Sequence, residues 1–456
     1  MSIPAKVLLP RKNQFCVILR YINYVPLKEK HNGSAHETQY TQERKGIVLR
    51  LNFFQSCIRR MRSNPGFVVV ALTCLAFASP GFGQQTFSGI HGQLSVKGNR
   101  IVDKNGNPIA LHGMSMYHWN SGGSVFYNAS AINHLAQDWH CTAIRIPIKP
   151  SDYQTNAVAA VNEIKTVVDA CIANGIYAIV DWHPGNNQDP NMANARQFFT
   201  TMATAYGTTP NIMYEPWNEP NMNYNDWPTY VKPYDDSLVK TIRAIDPHNI
   251  VICGTPGWSQ DVDVASLSPI TNFSNVAYTL HFYAASYKQW LRDKLDVALK
   301  NGIAVFVTEY GSCENSGSGV FDSVETRIWW NHLDSNYIGC TNWAVETNNE
   351  TASAFNSSAS ASGPWTIANL TAPGIFVMNY ILSKYQGLGV GVLPNGQKLQ
   401  QRANVASTKG LLTGAGTKAS IYTVNGVRCP AGCKLPSGLY IVRDAENPTV
   451  TGLMMR

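Results

Sequence analysis

Between residues 109 and 345 the chain switches repeatedly between two hydrophobic rhythms. Short runs rich in Ile, Val and Ala recur at 109–116, 143–148, 177–182, 212–217, 250–254, 277–282, 304–309 and 340–345. These runs are near-continuous, the pattern of strands buried on both faces. Stretches of helical period lie between them. In the clearest, Val161, Ile164, Val167, Val168, Cys171 and Ile172 repeat at i, i+3, i+4 spacing, and Asn174-Gly175 supplies a stop. Ahead of the first run, residues 93–109 read as a hairpin turning at Lys97-Gly98-Asn99, with Asn105-Gly106 making the next turn.

Eight strand–helix units over about 280 residues predict an α/β fold of the (β/α)8 TIM-barrel type, placed at 87–384. A doubly wound open sheet is the alternative, but no Gly-rich phosphate turn follows the first run. Over 385–410 the composition shifts to Gly, Gln and Lys, which reads as a linker. Residues 411–456 then carry short alternating runs at 419–424, 438–443 and 449–454, the pattern of a small C-terminal β module.

The net charge of +7 comes from the N-terminal end. Residues 1–60 hold 11 Lys/Arg against 3 Asp/Glu, and the remainder holds 25 against 26. A near-neutral body lacks the basic face that nucleic acid requires, so no nucleic-acid partner is expected. Arg59, Arg60 and Arg62 precede an apolar run at 67–78, too short for the roughly 20 residues of a bilayer span. Ala76-Phe77-Ala78 follows as a cleavage pattern, with Gly81-Phe82-Gly83 as a second exit site. Residues 61–83 therefore read as a secretory signal peptide starting at Met61, and 1–60 as a mis-assigned upstream extension. The expectation is a secreted protein without a transmembrane span.

Export permits disulfides. Cys429 and Cys433 are the best candidate pair, whereas Cys141, Cys171, Cys253, Cys313 and Cys340 sit near apolar stretches and read equally well as buried thiols. No Cys or His ligand cluster stands out, so neither a catalytic metal nor a cofactor is expected.

In a barrel of this type, chemistry collects at the C-terminal ends of the strands. The predicted runs carry or end in Arg145, Asp181-Trp182-His183, Trp217-Asn218-Glu219, His281-Phe282-Tyr283, Glu309-Tyr310 and Asn342-Trp343. A single polar residue there would ordinarily be a solvated strand edge; the recurrence favours a site. Glu219 and Glu309, on the fourth and seventh runs, would face each other across the barrel, and two facing carboxyls are what glycosidic cleavage needs. The sequence does not measure their separation. Glu215 reads as structural, Trp182 as core or platform, and His112 and His118 stay ambiguous.

Here a family resemblance becomes specific. The stretches AIVDWHPGNN, YGTTPNIMYEPWNEPN, IRAIDPHNIVICGTPGWSQDV, LHFYAASYKQWLRDKLDVAL, VFVTEYGSCENSGSGVF and LDSNYIGCTNWAV, in that order between about 92 and 382, resemble glycoside hydrolase family 5, above all its bacterial endo-β-1,4-glucanases of subfamily 2. The resemblance implies retaining hydrolysis, with Glu219 as acid/base and Glu309 as nucleophile. It implies that Arg145 and Tyr283 support the nucleophile, that His183 and His281 contact sugar and tune the glutamates, and that Asn218 bonds a 2-hydroxyl. Trp343 corresponds to the platform under the sugar at the cleavage point, and Trp258 to the leaving-group side.

Two departures bear on the sugar-binding end. Where many relatives carry a histidine after the first strand, this chain has Tyr117 or His118. Where relatives often carry a lysine after the eighth strand, it has Asn348. The C-terminal module resembles sorting tails that attach exported hydrolases to the cell surface, with a small stabilising appendage as the plain alternative. The expected partner is a β-glucan polysaccharide, acted on by a monomer. Alternatives are a β-mannanase or other hemicellulase on the same barrel, or a glycan-binding protein that has lost catalysis.

Overall fold

The computed structural model describes residues 86–118 and 124–387 and the strands at 419–423, 439–444 and 451–455. The signal-peptide and upstream readings, most of the linker and the Cys429/Cys433 pair lie outside the described residues.

A hairpin of β1 (Ser95–Lys97) and β2 (Arg100–Val102) opens the described chain, turning through Gly98 at φ 60°. Eight strands follow: β3 (His112–Met116), β4 (Ala143–Ile148), β5 (Tyr177–Trp182), β6 (Ile212–Glu215), β7 (Ile250–Cys253), β8 (Val276–Tyr283), β9 (Val305–Gly311) and β10 (Cys340–Val345). All pair in parallel and close into a barrel ordered β10-β3-β4-β5-β6-β7-β8-β9. The (β/α)8 expectation holds, with shifted ends. β3 starts at His112, β6 stops at Glu215 and β7 stops at Cys253. Asn218 and Glu219 therefore stand beyond their strand. Three further strands, β11 (Ala419–Thr423), β12 (Leu439–Asp444) and β13 (Thr451–Met455), pair antiparallel as the C-terminal β module.

The helices form as their caps dictate. Ala157–Asn174 begins where the Asn156 side chain accepts from the Ala159 N–H at 3.0 Å, and it ends at Gly175, left-handed at φ 64°. A Cβ on Gly175 would come within 2.1 Å of Thr86, so this stop is steric as well as conformational. The helix buries Ile164, Val167, Val168 and Cys171.

Strand alternation divides the interior in two. On β4, Ile144, Ile146 and Ile148 pack outward among the helices, while Ala143 faces the lumen. Ala143, Tyr177, Ile179, Met213, Ile252 and Phe306 fill the lower lumen together with Phe87, Leu94 and Ile101 of the N-terminal segment. The helix Phe87–His91 and the hairpin thus close the bottom of the barrel with apolar side chains, leaving the opposite end for polar ones.

Candidate active site

The same alternation lifts polar side chains into the lumen one step above the apolar floor. On β4 the residue after Ala143 in the inward series is Arg145; on β5 it is Asp181, and on β6 it is Glu215. On β8 the inward series runs Ala277, Thr279, His281, Tyr283 up to the rim. All of these side chains are buried.

Glu309 arrives differently. Phe306 faces the lumen, so strict alternation would put Thr308 inward and Glu309 among the helices. Instead β9 carries one extra residue relative to both neighbours. Thr279 pairs with Phe306 and His281 with Glu309, while Cys340 pairs with Val307 and Asn342 with Tyr310. This bulge lets consecutive residues face inward. Thr308 Oγ1 donates to Glu215 at 2.8 Å, and Glu309 meets Arg145 and Tyr283.

Arg145 is the hub. Its Nε and Nη2 donate to Glu215 at 2.7 and 3.0 Å, its Nη1 to Glu309 Oε2 at 2.9 Å, and its Nη2 also meets Asn218 Oδ1 at 2.5 Å and Asp181 Oδ2 at 2.9 Å. A planar fork of donors suits this use, which a lysine point charge would not reproduce. Burial works against its charge, but Asp181, Glu215 and Glu309 outweigh that and hold its pKa well up. Burial likewise raises Glu215, yet Arg145 and His281 prevail and keep it below the usual range, as a carboxylate.

The two glutamates have contrasting surroundings. Glu309 receives Arg145 on Oε2 and the Tyr283 hydroxyl on Oε1 at 2.8 Å, so both oxygens are held by donors. Burial and then the charge of Glu309 raise the Tyr283 pKa well up, so it remains a phenol and a donor. Glu219 is half-buried, and its Oε1 lies 2.9 Å from His281 Nδ1. Burial raises the Glu219 pKa; the His281 hydrogen bond opposes this and the nearby Glu309 charge adds to it. For His281 itself, burial would lower the pKa, but hydrogen bonds to Glu215 and Glu219 and the charge of Glu309 lift it to about 9.

Aromatic groups form the wall over this network. Trp343, in the second half of β10, stacks on His183 with centroids 5.5 Å apart and planes 15° apart. Tyr117 and His118 tilt against it at 5.4 and 5.1 Å. His183 shares a 2.7 Å hydrogen bond with Asp181, and burial pushes its pKa well down, leaving it a neutral ring. Burial also takes His118 down to about 3, and its Nδ1 is buried without a partner.

The structure therefore gathers Arg145, His183, Asn218, Glu219, His281, Tyr283, Glu309 and Trp343 at one end of the barrel, with His118 beside them. Trp258 and Asn348 stand apart, on opposite sides of the rim. Trp258 donates from Nε1 to Asn186 at 2.8 Å and from its backbone N–H to the Pro220 carbonyl, next to Glu219. Asn348 is bonded to Glu346 instead of to either glutamate. Trp182 is core: it is fully buried and donates to the Pro190 carbonyl at 2.6 Å. The five body cysteines are free and buried. Asp181 and Thr308 stand at the ends of predicted runs but carry no role in the sequence reading, and Glu346 does not figure in it; the inward phase of Asp181 on β5 is the signal that places it in the site.

Glu219, His281 and Glu309 each offer one ligand atom, all within 4.8 Å of one another. A cation there would displace the His281–Glu219 hydrogen bond.

A closed parallel barrel whose rim presents two close carboxyls, one flanked by donors and the other with a raised pKa, is the architecture of a glycoside hydrolase. Comparison with known proteins gives the family. Residues 102–349 match Cellulase (glycosyl hydrolase family 5). An endoglucanase of Clostridium saccharobutylicum is 36% identical over 340 residues, 73% of this chain and 74% of that protein. Endoglucanase Z of Dickeya dadantii is 40% identical over 267 residues; the match spans 58% of this chain and 62% of the relative. Among solved structures, the catalytic domain of Thermobifida fusca endoglucanase Cel5A superposes with a TM-score of 0.62 at 30% identity, covering 65% of this chain and 99% of that domain. A variant of that domain has been solved with cellotetraose. The chain belongs to glycosyl hydrolase family 5, and it is a glycoside hydrolase of the endoglucanase type.

Proposed function

We propose that the chain cleaves internal β-1,4-glucosidic bonds of cellulose or related soluble β-glucans with retention, Glu309 acting as nucleophile and Glu219 as acid/base. The carrying observation is that one carboxyl oxygen of each lies within 4.8 Å of the other's, which favours the roughly 5–5.5 Å carboxyl spacing of retaining enzymes over the roughly 6.5–9.5 Å of inverting ones. In the first step a Glu309 oxygen bonds to the anomeric carbon, the glycosidic C–O bond breaks, and the Glu219 proton passes to the leaving oxygen. In the second, water adds to the anomeric carbon, its proton returns to Glu219, and Glu309 is released. The raised pKa of Glu219 supports its loading with a proton. Arg145 and Tyr283 hold Glu309 in place and balance its charge.

The supporting roles follow the same geometry. Trp343 offers a flat face for a sugar ring, and His183, neutral and oriented by Asp181, offers a ring nitrogen to a hydroxyl. Asn218, gripped by Arg145, is poised for the 2-hydroxyl. Trp258, tied to the residue after Glu219, stands on the leaving-group side, with Asn348 and His118 on the other. Solution of a relative with cellotetraose favours a glucan over a mannan.

Reducing-sugar release from carboxymethylcellulose, lichenan, mannan and xylan tests this reading. Wild type should prefer the glucans, and Glu219→Gln and Glu309→Gln should each lose at least about a hundredfold. A preference for mannan would transfer the same chemistry to another substrate. Variants as active as wild type would remove both assignments.

Export is part of the proposal. It rests on the Arg-rich start, short apolar run and Ala-x-Ala site of 61–83. Among the described residues no helix is long and apolar enough to cross a membrane. The catalytic domain at 87–384 would then precede a linker at 385–410 and a C-terminal attachment module. Sequencing the N-terminus of the secreted protein tests the leader.

A further inference from the structure

Glu219 lies past the end of β6 at Glu215, so its backbone stands outside the strand ladder. Three successive carbonyls are held by other means. The Asn218 carbonyl accepts from Ser259 Oγ at 2.7 Å, the Glu219 carbonyl from Asn221 Nδ2 at 2.6 Å, and the Pro220 carbonyl from the Trp258 N–H at 3.0 Å. Two of these donors sit in the loop after β7, where Gly257, Trp258 and Ser259 take left-handed backbone at φ 68°, 59° and 55°. Such backbone is uncommon for Trp and Ser and persists where surrounding contacts hold it. The remaining donor, Asn221, is a buried side chain just after Glu219 itself.

Asn221 is anchored in turn. Its Oδ1 accepts from the Asn187 N–H at 2.7 Å, and Asn187 Oδ1 accepts from the Asn223 N–H at 3.2 Å, so the loops after β5 and β6 are tied together. The neighbouring Asn186 accepts from Trp258 Nε1 at 2.8 Å. These contacts close a ring that runs from Glu219 to Asn221, through Asn187 and Asn186 to Trp258, and back through Pro220 to Glu219. The acid/base and the indole on the leaving-group side are two points of that ring. The Glu219 carboxyl itself is lightly held. Among the described residues its hydrogen bond is to His281, whereas both oxygens of Glu309 are held by donors. Where the Glu219 carboxyl reaches therefore depends on where its backbone is fixed.

We propose that Asn221 is a positioning residue for the acid/base: it holds the Glu219 backbone so that the carboxyl reaches the leaving oxygen, and through Asn187 and Asn186 it ties that reach to Trp258. The proposal rests on the reading of Glu219 as the acid/base. Asn221 acts through Glu219 and not on the sugar. Without it the carboxyl drifts from the leaving oxygen, while Glu309, fixed by Arg145 and Tyr283, still attacks. The loss then falls on bonds whose leaving group must take up a proton as it departs, and spares those whose leaving group departs as a stable anion. One neutral hydrogen bond corresponds to at most about 10-fold, and this one steers a proton transfer that contributes about 10²–10⁴-fold. The contact of Asn186, an exposed residue, should count for less, about 3-fold.

The test compares kcat/KM for two aryl β-cellobiosides, one with a 2,4-dinitrophenyl leaving group, which departs without a proton, and one with a phenyl group, which needs one. Wild type, Asn221→Ala, Asn186→Ala, the double variant and Glu219→Gln are measured side by side. The readout is the ratio between the two substrates, which a partly unfolded preparation does not move. Asn221→Ala should lose about 10-fold on the phenyl substrate and stay within about 2-fold on the dinitrophenyl one. Asn186→Ala should shift the ratio the same way by about 3-fold, and the double variant should shift it no further than Asn221→Ala, because the ring is already open. Equal losses on both substrates, or no loss on either, in Asn221→Ala would overturn the positioning role. Shifts that add in the double variant would overturn the tie to Trp258. Glu219→Gln should show the same split at about a hundredfold or more; if it shows none, the acid/base assignment fails and the proposal with it.

Discussion

Replacing Arg145 by Met removes the guanidinium that Glu215, Glu309, Asp181 and Asn218 share, and leaves the methylenes largely in place. Glu215 has no exposure and would be stranded as a buried charge with only Thr308 and His281 nearby. Breaking a buried pair from one side costs about 3–5 kcal/mol. At about 2–3 °C per kcal/mol for a large domain, the melting temperature at pH 7 should fall by about 6–15 °C. The effect should depend on pH. The folded pKa of Glu215 is depressed, so in wild type its contribution is present above its unfolded value of about 4.3 and is lost only as pH falls through the lower folded value. Without Arg145, burial dominates and Glu215 takes up a proton at higher pH, so the variant regains stability between pH 7 and 5 while wild type does not yet lose any. The gap in melting temperature, followed by circular dichroism, should therefore narrow on acidification. Activity should fall at least about a hundredfold at every pH, because Glu309 loses its cation. A variant melting within about 2 °C of wild type at pH 7, with kcat/KM within about tenfold, would refute the hub role.

Two further predictions concern the rim. Gly311 sits where a Cβ would fall 2.3 Å from the Tyr283 ring, so Gly311→Ala should displace that phenol from Glu309 and lower kcat/KM by about 10- to 100-fold, the worth of a charge-assisted hydrogen bond, with KM little changed. The pH profile of kcat/KM should show an alkaline limb as the raised carboxyl of Glu219 loses its proton; in His281→Gln this limb should move to higher pH, since the His281 hydrogen bond lowers Glu219.

Much of this arrangement was legible in the chain because barrel strands are buried on both faces. Such strands read as continuous apolar runs, so all eight could be located, along with the polar residues interrupting or following them. Strand ends were less legible. β6 stops at Glu215, and Asn218 gains its position from Trp182 and Ser259, contacts distant in sequence. The β9 bulge was invisible, because the alternation in Phe306, Thr308 and Tyr310 gives no sign that Glu309 turns inward. Trp182 looks like Trp343 in sequence, each late in a strand, and only packing separates the ring sealed among the helices from the one that stacks on His183. Glu346 drew no notice, since a carboxyl in a polar loop ordinarily faces water; here the loop folds back and buries it.

The claim that Glu309 and Glu219 hydrolyse the glucan by double displacement is tested most directly by the anomeric form of the first product. Hydrolysis of a β-1,4-linked cello-oligosaccharide should be followed by proton NMR from the first minutes, before mutarotation. Double displacement by two carboxyls within 4.8 Å predicts that the new reducing end appears first as the β-anomer. Initial release of the α-anomer would contradict it, and would require the two glutamates to act on a water held between them.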